Sequence, residues 1–137
     1  MIGRMKSLEA GDGMFFGVIR PDYDVEGGGW AYDVDGHCFY DTLEGVRFPG
    51  RSEWDGRQHA REQGDRIGML LDLDQGSMTV WRNDVRLGLM VAKGLTGPLC
   101  WAVNLVFQGS SARIESAAAP ASPTEAELAA ARAWQGV

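Results

Sequence analysis

Positive charge is scarce in this chain: 13 Lys and Arg stand against 19 Asp and Glu, a formal net charge of −6. No basic stripe breaks the acidic excess, which argues against a nucleic-acid partner. Cysteine and histidine are nearly missing, with two of each. Cys38 and Cys100 lie in apolar, strand-like settings, and neither they nor His37 and His59 reproduce the spacing of a structural zinc site. Two reduced, partly buried thiols are expected, with no metal and no cofactor. Long apolar runs are lacking too. No stretch approaches the ~20 residues that cross a bilayer, and Met1-Ile2-Gly3-Arg4-Met5-Lys6 is not followed by a signal-peptide core. A soluble, cytoplasmic chain with no membrane partner is expected.

Glycine, by contrast, is plentiful: 19 in 137 residues, many at the ends of short apolar runs. One domain with many turns follows, an all-β sandwich rather than a helical bundle. The stretch 64–83 is the clearest. Ile67, Met69 and Leu71 alternate with Gly68, Leu70 and Asp72, and Met78 and Val80 alternate with Thr79 and Trp81, so two strands are expected around a turn at 74–76. Gly76 can adopt the positive φ that closes such a hairpin, and Asp72 and Asp74 are turn formers before anything else.

Elsewhere, 14–20 reads as a buried strand stopped by Pro21, 22–29 as a loop, and 30–32 and 38–40 as short strands about a turn at Asp35-Gly36. Residues 44–63 read as a long connection or weak strands, and 86–91, 100–107 and 111–115 as strands. Along 100–107, Trp101, Val103, Leu105 and Phe107 share one face. Residues 1–13 are a weakly patterned lead-in. Trp30, Trp81 and Trp101 are expected in the core. The sandwich is expected to span 1–116, and 117–137 to form a linker and a short helix with Ser122 as N-cap, Pro123 at its first position and Glu125 completing a capping box. Leu128, Ala131 and Trp134 would dock that helix onto the sandwich.

Several of these pieces, in this order, resemble a SPRY domain. Phe16-Gly17-Val18 is similar to that family's Val-Gly-Val strand, Gly29-Trp30-Ala31-Tyr32 to its Ser-Trp-Gly-Tyr element, and Gly64-Asp65 with the hairpin to its central strands. Val85-Arg86-Leu87-Gly88 after Asn83, and Leu99-Cys100-Trp101-Ala102-Val103, match further segments, so the resemblance runs over about residues 14–116. It implies two curved antiparallel sheets in a concanavalin-like jelly roll. It also implies a non-enzymatic interaction module whose edge loops bind a peptide or partner surface. Carried over by position, the recognition loops are 20–26, 30–36, 82–84 and 106–109, with Arg20, Tyr23, Asp24, Tyr32, Asn83, Val106 and Phe107 as candidate contacts. Phe107 fits core packing as well as pocket lining, Arg20 can simply cover a strand end, and Asn83 is a turn former before it is a contact. Tyr23, in an acidic loop with little apolar company, reads as a surface residue. Two departures stand out. The family has strands ahead of Val-Gly-Val, so residues 1–8 must replace them or an edge is exposed. Asp84 stands where the family has Gly.

Other classes leave thinner traces. Glu53 and Asp55 on one face of a strand would suit glycoside hydrolysis. Asp22, Asp24, Glu26 and Asp33 imitate a calcium loop without its flanking helices. A lectin-like sandwich stacking sugars on Trp54, Tyr32 and Tyr23 is the alternative binding function.

Overall fold

The computed structural model describes residues 2–7, 14–62, 64–105, 112–116 and 124–134. Nine strands and one helix follow in order: β1 (Ile2–Ser7), β2 (Met14–Ile19), β3 (Cys38–Asp41), β4 (Arg47–Phe48), β5 (Arg66–Asp72), β6 (Ser77–Arg82), β7 (Val85–Val91), β8 (Cys100–Leu105), β9 (Ala112–Ser116) and α1 (Glu125–Trp134). They form an antiparallel five-stranded sheet, β7-β6-β5-β1-β9, and an antiparallel four-stranded sheet, β4-β3-β2-β8.

The alternation in β5 and β6 does what period two demands. Ile67, Met69, Leu71, Met78 and Val80 enter the core, where they meet Met14, Phe16 and Val18 of β2 and Cys38 and Tyr40 of β3. Within the lead-in, Ile2–Ser7 forms a strand. β1 lies between β5 and edge strand β9 in the larger sheet, pairing Met5 with Ile67 on one side and with Ile114 on the other, and so supplies the strand that the sequence left open. Its signal was weak because a strand flanked on both sides takes its stability from its neighbours rather than from its own propensity.

Turn chemistry fixes the hairpins. Asp72 Oδ1 accepts the N–H groups of Asp74 (3.1 Å) and Gln75 (3.2 Å), and Gly76, at φ 71°, closes the loop onto the Asp72 carbonyl. Between β6 and β7, Asn83 and Asp84 both take positive φ, 51° and 67°, as a two-residue primed turn requires. Asp84 in place of Gly is held there in part by its carboxylate, 2.6 Å from Arg66 Nη2.

Several expectations are corrected. Residues 30–32 are not a strand: three glycines precede them, and Ala31–Asp33 forms one 3-10 turn closed by the Asp33 N–H on the Trp30 carbonyl. Trp30 is 62% exposed rather than core. Trp81 is half-buried on the face opposite Met78 and Val80, whereas Trp101 does pack against the core. The tryptophan that fills the interior is Trp54, 1% exposed, which takes its place from the connection after β4 and donates its indole N–H to the Gly45 carbonyl at 2.7 Å. That position removes it from any sugar-stacking face. Glu53 and Asp55 flank it outside any strand, and Glu53 is paired with Arg57 at 3.0 Å.

The helix begins later than expected. Thr124 is its cap, two residues beyond Ser122: its hydroxyl accepts the Glu127 N–H (3.2 Å) and donates to the Glu127 carboxylate (3.4 Å). Ser122 and Pro123, and the side chain of Trp134, lie outside the described residues. Leu128 and Ala131 pack on Leu89 and Ala92, and Glu127 pairs with Arg86, so α1 lies against edge strand β7.

Two consequences are measurable. A Cβ at Gly17 would stand 1.9 Å from the Cys38 carbonyl oxygen, so Gly17→Ala must force β2 and β3 apart; a loss of about 3 kcal/mol in urea unfolding is expected. Both cysteines are free, but Cys38 is buried and Cys100, on a strand with one partner among the described residues, is exposed rather than partly buried. Burial pushes the Cys38 thiol from 9.0 up to about 12, with Arg47 opposing weakly. A folded-state value above the unfolded one stabilises the fold below pH 9, and that contribution is lost between pH 9 and about 12. Iodoacetamide at mildly alkaline pH should label Cys100 alone in the folded protein and both thiols in denaturant.

Candidate functional site

β2 is apolar on both faces, and the face turned away from the core carries Phe15 and Ile19 beside Phe39 of β3. The chain between β2 and β3 folds back over this surface. Tyr32 stacks on Phe15, ring centroids 4.1 Å apart and planes 4° from parallel. Phe48 of β4 sets its edge against both rings, at 5.3 Å and 5.4 Å. Such offset and edge-on pairs each add about 1 kcal/mol to the area they bury.

Polar contacts hold the loop in register. Arg20 Nη1 donates to the Asp35 carbonyl at 3.3 Å, and its Nε is 3.8 Å from the Asp22 carboxylate. His37, buried behind β3, has Nδ1 2.8 Å from the Ala31 carbonyl oxygen; a carbonyl can only accept, so Nδ1 carries the proton. Tyr23 lays its ring edge-on to that imidazole at 5.0 Å. Asp24 Oδ1 accepts the Glu26 N–H at 3.0 Å, an Asx turn rather than a cation ligand. Among the described residues no three His, Cys, Asp or Glu side chains converge as a metal set.

Arg20, Tyr23, Asp24 and Tyr32 therefore belong to one folded-over loop. Tyr23 is half-buried on the apolar cluster, not the isolated surface residue its acidic neighbours suggest. Trp30 crowns the loop, its ring 5.7 Å from Tyr32 and its surface largely in solvent. Asn83 does not share this role. Its Nδ2 donates to Asp65 Oδ1 (2.9 Å) and its Oδ1 accepts the Arg66 N–H (2.9 Å), so it pins the β6–β7 turn. Val106 and Phe107 fall outside the described residues. Sequence reading missed Phe15, Phe48 and His37 as supports. The available signal was the unbroken apolar run 14–19, which announces a strand buried on both faces and therefore something to cover the second.

Asp65, 4% exposed, is the hub of the Asn83 pin: Oδ2 accepts Arg82 Nη2 (3.0 Å), Arg82 Nε (3.3 Å) and the Glu62 N–H (3.0 Å). Asp65→Ala strands Arg82 and the Asn83 amide, and should cost about 3 kcal/mol in chemical denaturation.

No family model matches the chain, and no curated protein matches it. Among solved structures, the crystal structure of a human SPRY domain superposes with a TM-score of 0.63 at 21% identity, over 82% of this chain and 74% of that one. The architecture built above from alternation, turns and packing is thus a SPRY-like β-sandwich.

Proposed function

We propose that this protein is a non-enzymatic protein-interaction module that binds a short peptide or a partner surface on the loop between β2 and β3. The observation that carries this reading is Trp30. A tryptophan 62% exposed, beside the half-buried Tyr32 and in the loop that holds Arg20 and Tyr23, concentrates the residue types that anchor interfaces. The support beneath it is prefolded, because Tyr32 is clamped between Phe15 and Phe48 and the loop is tied to Asp35 and Ala31. A partner would therefore order little backbone on binding. The likeness to a human SPRY domain supports the module class.

Peptide-display selection on the purified protein, beside a Trp30→Ala variant, tests this. Trp30 is 62% exposed and touches the apolar cluster through the Tyr32 ring, so thermal unfolding should shift little. An enriched peptide should bind the wild type and lose about 30-fold in affinity on the variant. Equal binding to both proteins would refute the role of this loop.

A further inference from the structure

A second concave surface shares no residue with the aromatic loop. The connection 43–61 and the end of β6 enclose a groove of about 760 Å³, with Arg57, Arg61, Arg82 and His59 among its walls, together with the acids Glu44, Glu53 and Asp55. Its frame is stapled. Arg57 Nη1 donates to the Glu44 carbonyl at 2.6 Å, Tyr40 donates to the Gln58 carbonyl, and Ala60 N–H to Thr42 at 2.8 Å.

The charges in it are unevenly committed. Glu53 is neutralised by Arg57 and Glu44 by Arg51. Arg82 gives Nε and Nη2 to the buried Asp65, which fixes its guanidinium from behind, and among the described residues Nη1 has no hydrogen-bond partner. Among the described residues Arg61 has no hydrogen-bond or ion-pair partner, and His59 Nδ1 is buried with none. Two arginines of this groove, Arg61 and Arg82, therefore keep donors uncommitted among the described residues.

We propose that this groove is a second binding site that takes an acidic peptide segment, one Glu or Asp carboxylate of which is received by Arg61 and Arg82. A guanidinium held in place by a buried carboxylate is pre-organised for a second carboxylate, so less rotamer freedom is lost on binding. Asp55, on the wall with no arginine of its own among the described residues, makes a singly charged carboxylate a better fit than a doubly charged phosphate.

The probe is a labelled, N-acetylated and C-amidated hexapeptide with two central glutamates between leucines, read by fluorescence polarisation against a glutamine twin. The 137-residue protein should bind the glutamate peptide, at least ~10-fold tighter than the twin, and Arg61→Glu should lose the same factor. Arg61→Gln should fall between, and Trp30→Ala should bind as the wild type does, which separates this site from the aromatic loop. Circular dichroism confirms that each variant is folded. Equal affinity for both peptides, unchanged binding by Arg61→Glu, no binding by the wild type, or displacement by inorganic phosphate at the peptide's own concentration would each overturn the assignment.

Discussion

Strand β2 carries apolar side chains on both faces, and a sandwich of two sheets can hide only one of them. Met14, Phe16 and Val18 meet the larger sheet; Phe15 and Ile19 point the other way. Leaving those two side chains in water would forfeit about 2 kcal/mol each. The chain answers by folding the β2–β3 loop over them, and the rest of the smaller sheet is arranged around that cover. Gly17, between Phe16 and Val18, lets β3 approach so closely that its carbonyl occupies the space of a side chain.

The cover becomes a candidate recognition surface because its support is rigid. Tyr32 and Tyr23 are spent on packing, and the three glycines before Trp30 lift that ring clear of the cluster. Exposure of Trp30 and burial of Tyr32 are therefore one arrangement: the tyrosine supplies the floor on which the tryptophan is displayed. The larger sheet has its own outer-face solution at β7, where Leu89, with Ala92 just past the strand, is closed off by Leu128 and Ala131 of α1. Asp65 plays the corresponding part for polar groups, tying the start of β5 to the β6–β7 turn through Arg82 and Asn83.

Much of this was legible in the chain. The β5–β6 hairpin, β3, β7, β8 and the C-terminal helix follow from period-two alternation, turn residues and a run of helix formers after a capping signal, although the cap itself is Thr124 and not the expected Ser122. Trp30 was expected inside and is exposed, whereas Trp54, given a surface role only in the sugar-binding alternative, fills the interior. Hydrophobicity alone ranks two tryptophans equally; only the path of the backbone decides which one meets the other sheet. Similarly, β1 has little pattern of its own and is recognised by its partners β5 and β9, which lie far along the chain.

By itself the sequence determined the class of the fold and the chemistry of its turns. Inward alternation, positive-φ glycines and Asx side chains act over a few residues and need no distant partner. The tertiary structure alone decided which aromatic rings are floor and which are face, that Asn83 is a pin beneath Asp65, and that Arg61 and Arg82 border one groove. Those outcomes depend on residues tens of positions apart arriving together, and no local pattern records where a loop will land.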